Sequence, residues 1–110
     1  MKAEAKRTQP VPVDGNAVLL HRAFRLRRRG EIRKCMLVLK QACCAEESNA
    51  RLWVHYALAC VACGRDTDAR QALQQALWLR QRCHDRGRIR TTQALLTRLE
   101  CGALAARHAA

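Results

Sequence analysis

Seven cysteines and four histidines are the most chemically versatile side chains of this 110-residue chain. The cysteines stand at 35, 43, 44, 60, 63, 83 and 101. Cys60-x2-Cys63 together with Cys43-Cys44 supplies the four sulfurs of a thiolate zinc site, which must all lie about 2.3 Å from one metal. Helical rise argues against it. Cys43 and Cys44 fall at the far end of one predicted helix and Cys60 and Cys63 at the far end of the next, so an antiparallel hairpin holds the two pairs some 15 to 20 Å apart. Cys35 and Cys60 instead take positions where closely packed helices want compact apolar side chains, a role that a reduced thiol fills.

His21 and His55 are candidates for a two-histidine ligand pair, but no carboxylate accompanies them in register, which leaves them as plain groove-lining residues. The sequence holds no glycine-rich phosphate loop, no HExxH and no nucleophile with a placed base. The expectation is a protein with no catalytic residues, no cofactor and no metal.

The elements that carry these residues are helices. The chain holds 19 Ala, 14 Leu and 17 Arg, all of which lose little rotamer freedom in a helix. Both prolines, Pro10 and Pro12, lie in the first dozen residues, so the strongest helix breaker is missing from all that follows. An all-α fold is expected. The longest apolar run, Tyr56 to Cys63, spans eight residues, where a bilayer-crossing helix needs roughly 20; no membrane partner is expected. The odd cysteine count and a polar start without a signal-peptide core point to reduced thiols in the cytoplasm.

Periodicity divides the chain into a polar, Pro-containing tail over residues 1–14, expected to be disordered, and five helices. The first starts at Asn16 and stops at Gly30. The second carries Ile32, Cys35, Met36, Leu39, Ala42 and Cys43, and the third runs from about Ala50 to Cys63, with Ser48 and Asn49 as candidate caps. The fourth begins at Asp66 and Asp68, whose carboxylates suit the positive end of a helix dipole, and ends near Arg80 and Arg82. The last spans about 86–107 through Ile89, Leu95, Leu96, Leu99 and Leu104.

Gly30 and Gly64 stand 34 residues apart, each between two helices. Shifting the chain by 34 aligns residues 16–49 with 50–83 and brings six identical pairs together: His21/His55, Ala23/Ala57, Gly30/Gly64, Leu39/Leu73, Gln41/Gln75 and Ala42/Ala76. Small residues at Ala23 and Ala57, the glycines, and the small-large-small runs Cys35-Leu39-Ala42 and Ala69-Leu73-Ala76 recur together. In this pattern, and in the order Trp53, Ala57, Gly64, Ala69, Leu73, Ala76, the chain resembles the tetratricopeptide repeat family. It departs from that family at Glu47 and Gln81, where a proline is usual, and at Arg22, where an apolar residue is usual.

The resemblance implies a short right-handed α-solenoid of antiparallel hairpins, with repeats 16–49 and 50–83 and a capping helix. It also implies a partner groove on the inner face of each first helix. That groove would be formed by Leu20, His21, Phe24, Arg27 and Arg28 from one repeat and Arg51, Val54, His55, Leu58, Val61 and Ala62 from the next. Arg88, Thr92 and Leu95 of the capping helix would extend it. The Lys and Asn pattern with which some members clamp a terminal carboxylate is missing.

Net charge is +12, with 21 basic residues against nine acidic ones, so the partner should be acidic or polyanionic. The leading expectation is a non-enzymatic adaptor that holds an acidic protein or peptide by apolar contact and Arg-carboxylate pairing. A basic helical-repeat RNA binder is the second, weakened by the scarcity of aromatics for base stacking, which are only Phe24, Trp53, Tyr56 and Trp78. A structural homodimer through Leu95, Leu96 and Leu99 is the third.

Overall fold

A computed structural model describes the backbone of residues 11–102 and the side chains from Asn16 onward. The described residues form five α-helices: α1, Val11–Arg28; α2, Ile32–Ala45; α3, Ala50–Ala62; α4, Asp66–Arg82; and α5, Arg86–Glu100. No strand occurs among them. The all-α expectation and the number of helices are met. Residues 1–10 of the expected tail lie outside the described residues, whereas residues 11–14 belong to α1. Pro12 is compatible with this early start because it falls in the first turn, where a backbone N–H has no intrahelical partner to lose.

Three of the four joints close in the same way. At the end of α1 the Gly30 N–H donates to the Arg27 carbonyl at 3.0 Å and the Glu31 N–H to Leu26 at 2.9 Å. At the end of α3 the Gly64 N–H donates to Val61 at 3.0 Å and Arg65 to Cys60 at 2.8 Å. At the end of α4 the His84 N–H donates to Gln81 at 3.1 Å and Asp85 to Arg80 at 3.2 Å. This six-to-one closure needs a left-handed residue. Gly30 and Gly64 supply it at φ +81° and +77°, and His84 supplies it at φ 55°. Gly102 takes the same conformation, φ +79°, after α5 ends at Glu100; residues 103–107 of the expected last helix lie outside the described residues.

The α2–α3 joint is built differently. Asn49, with extended backbone, caps α3 by accepting the Arg51 N–H on its side-chain oxygen at 3.1 Å. The Trp53 indole N–H reaches back to the Glu47 carbonyl at 2.8 Å. Trp53 is thereby tied to the linker, and its ring meets Tyr56 edge-on.

Joints of three or four residues make consecutive helices neighbours, and the main packing runs in chain order: α1 on α2, α2 on α3, α3 on α4, α4 on α5. The core is made of small and aliphatic side chains, as the low aromatic content requires. Ala23, Ala42, Ala57, Ala69 and Ala76 are fully buried and let helices approach closely around Leu39, Leu52 and Leu73. Cys35, Cys43 and Cys60 are buried in the same core. Burial pushes the Cys43 thiol up to about 12, with Cys44 and Cys60 adding smaller increments. Cys35 and Cys60 are raised for the same primary reason. All three are neutral thiols acting as compact core residues.

Candidate functional site

The inner side of α3 faces an open cavity of about 570 Å³. Leu58, Ala59 and Ala62 come from α3, Ile32, Cys35 and Leu39 from α2, and Leu95 from α5. Arg27 at the end of α1 and Arg98 near the end of α5 supply the cationic edges, and His55 completes the wall. An apolar trough with a few polar groups at its border has the composition of a binding site.

His55 is the most unusual group there. Its Nδ1 is buried and has no hydrogen-bond partner. Burial lowers its pKa, and the nearby charges of Arg51, Arg27 and Arg80 lower it further. The imidazole is therefore neutral at pH 7 and surrounded by cations rather than by the carboxylate that would make it a base. The ring packed edge-on against it is Phe24, at 5.2 Å between centroids. The Arg27 guanidinium lies over Phe24 at 5.0 Å, one turn along α1. Phe24, Arg27 and His55 thus form one cluster that joins α1 to α3 beside the trough. Among the described residues no three His, Cys, Asp or Glu side chains come together in the way a metal ion requires.

The expected groove residues divide into four groups. Arg27, His55 and Leu58 line the trough together with Ala62 and Leu95, and Phe24 supports it. Arg51 and Arg88 do not line it; they border a second depression of about 370 Å³ between the start of α3, the end of α4 and the start of α5. Leu20 and Val54 are half-buried against the core, and His21 and Arg28 are exposed and line neither hollow. Val61 is a correction. It is buried in the core, because α3 packs on both α2 and α4 and buries more of its circumference than a single stripe. Thr92 is also fully buried, its hydroxyl accepting from Arg80 at 2.7 Å and donating to the Arg88 carbonyl at 2.7 Å.

The expected dimer face needs a correction as well. Leu99 belongs to the core, and Leu95 and Leu96 are partly buried against it. Among the described residues the large apolar side chains that are exposed are Val18, Leu37 and Trp78, and Trp78 is covered on one face by the Arg82 guanidinium at 4.8 Å.

Ile32, Cys35, Leu39, Ala59 and Arg98 of the trough, and Arg80 of the second hollow, stand outside the groove expected from the sequence. Arg98 stands three positions after Leu95, so extending the Arg88, Thr92, Leu95 face by one turn finds it. Arg80 looks like an ordinary cation at a helix C-terminus, and nothing in the local pattern shows that it turns inward to Thr92.

Among the described residues, no helix is long and apolar enough to cross a membrane. Comparison with family models, with curated proteins and with solved structures finds no match to this chain.

Proposed function

We propose that this chain is a non-enzymatic adaptor of tetratricopeptide type, a short solenoid that holds an acidic protein or peptide segment in the trough between α1, α3 and α5. The observation that carries the reading is the trough itself, with Leu58, Leu95 and Ile32 as apolar walls and Arg27 and Arg98 at its borders. An amphipathic segment would bury its apolar side on the leucines and pair its carboxylates with the arginines. The equivalent left-handed glycines at 30 and 64 and the chain-order packing support the repeat part of the reading. The cytoplasm suits a chain whose seven cysteines are all free thiols.

The test is Leu58→Glu, which places a carboxylate on the floor of the trough. It should abolish binding of a synthetic amphipathic helical peptide with glutamate flanks while leaving the far-UV circular dichroism unchanged. Undiminished binding would overturn the reading.

A second reading rests on a different observation. Arg22, Arg25, Arg29 and Lys34 surround a depression of about 500 Å³ between α1 and α2, where the one acidic residue, Glu31, is held by Lys34 at 3.1 Å. Such a patch suits nucleic-acid phosphates. RNA affinity that falls steeply with salt, and that drops with Arg25→Gln and Arg29→Gln, would favour it.

A further inference from the structure

We infer that the depression bounded by Arg51, Arg80 and Arg88 is a separate oxyanion site, which takes a side-chain carboxylate of an acidic protein segment. The choice of a protein ligand rests on the adaptor reading; the site itself rests on the arginines and the fate of the carboxylates around them.

Three helices each send one arginine to this hollow, Arg51 from α3, Arg80 from α4 and Arg88 from α5. Two carboxylates also border it, and both have other work. Glu46 accepts hydrogen bonds from the side-chain amides of Asn16 and Asn49. Asp85 caps α5, taking the Arg88 backbone N–H on Oδ1 at 3.3 Å, while its Oδ2 stands 3.8 Å from Arg88 Nε. Among the described residues no carboxylate lies within ion-pair distance of Arg51 or Arg80.

Arg80 is the built part of the site. It is half-buried, and its Nη1 is held at 2.7 Å by a hydroxyl that is itself fixed on the Arg88 carbonyl. A guanidinium has five N–H donors in a rigid fork, and this single bond leaves the others to bind an oxyanion without first ordering a floppy chain. Arg51 and Arg88 are exposed and can close on the same ligand from two sides.

The surroundings favour a carboxylate over a nucleic-acid backbone. Glu46 and Asp85 repel a dense run of phosphates more than a single carboxylate, and no aromatic side chain lines the hollow to stack a base.

The experiment is an NMR titration of the full-length 15N-labelled chain with acetylated hexaglutamate, following the arginine Nε–H resonances. Binding should shift the Arg80 Nε–H saturably. Arg51→Gln combined with Arg88→Gln should weaken the affinity at least about tenfold. The charge-matched control, Arg86→Gln with Arg90→Gln on exposed positions outside the hollow, should change it less than about twofold. Equal weakening by both pairs would reduce the effect to net charge and overturn the proposal. An unmoved Arg80 resonance, or tighter binding of an oligothymidylate of equal charge at the same resonances, would also overturn it. Leu58→Glu separates the two readings: undiminished binding of the amphipathic peptide by that variant overturns the trough alone, whereas an Arg80 resonance unmoved by hexaglutamate in the unaltered chain overturns this site alone.

Discussion

Arg80 and Thr92 are joined across the α4–α5 interface by a guanidinium-to-hydroxyl hydrogen bond of 2.7 Å at a position where the threonine has no solvent exposure. One oxygen therefore accepts from α4 and donates within α5, so losing it strands a partly buried charge donor as well as breaking a contact.

Thr92→Val keeps the shape and removes the oxygen. It should destabilise the fold by about 1–2 kcal/mol, since the stranded donor is charged. Arg80→Met with Thr92→Val should cost clearly less than the sum of the two single changes, because no polar group is then left unpaired. Urea unfolding of the four species measures both quantities.

The left-handed turns predict opposite signs at two places. Gly64→Ala meets no atom within 4 Å of the new Cβ, so its penalty is purely backbone, about 1–2 kcal/mol. His84→Gly relieves the same conformation at φ 55° and should be neutral or stabilising by up to about 1 kcal/mol, the gain being offset by glycine's greater freedom in the unfolded chain. Thermal melts of both variants, with Gly30→Ala as a second test of the first sign, check this.

His55 makes stability depend on pH. Its folded pKa lies below the ordinary 6.5, so as pH falls through 6.5 the unfolded chain takes up a proton that the folded one refuses. Its contribution is present above that pH and is lost on acidification until the folded pKa is reached. His55→Leu should flatten that slope in unfolding measurements between pH 7.5 and 5.

Thiol reactivity should separate the cysteines by burial. Cys44, Cys83 and Cys101 are exposed and should react with a disulfide reagent at once; Cys35, Cys43 and Cys60 are buried and should react only as the fold opens. Denaturant should merge the two phases. Mass spectrometry of the labelled peptides identifies which cysteines belong to each, and rapid labelling of Cys43 in the folded chain would contradict its place in the core.

Helix content, the joints at Gly30 and Gly64, the Asn49 cap and the compact residues of the core were legible in the chain because they depend on neighbours three or four positions away. Backbone propensity, a missing Cβ and an apolar stripe are local properties. Arg27, His55 and Leu58 were expected in a groove only through the family resemblance, and they line the trough.

What the local pattern could not supply was how much of each helix its neighbours cover. Val61 and Leu99 carry the same apolar signal as Leu58 and Leu95, yet the former pair is buried in the core and the latter pair lines the trough. Arg80 has the sequence environment of any cation in a last helical turn and becomes special only because Thr92, twelve residues on, is held opposite it. Helix periodicity names a face, whereas burial and pairing depend on which other helix arrives there, a property set by the packing of the whole chain.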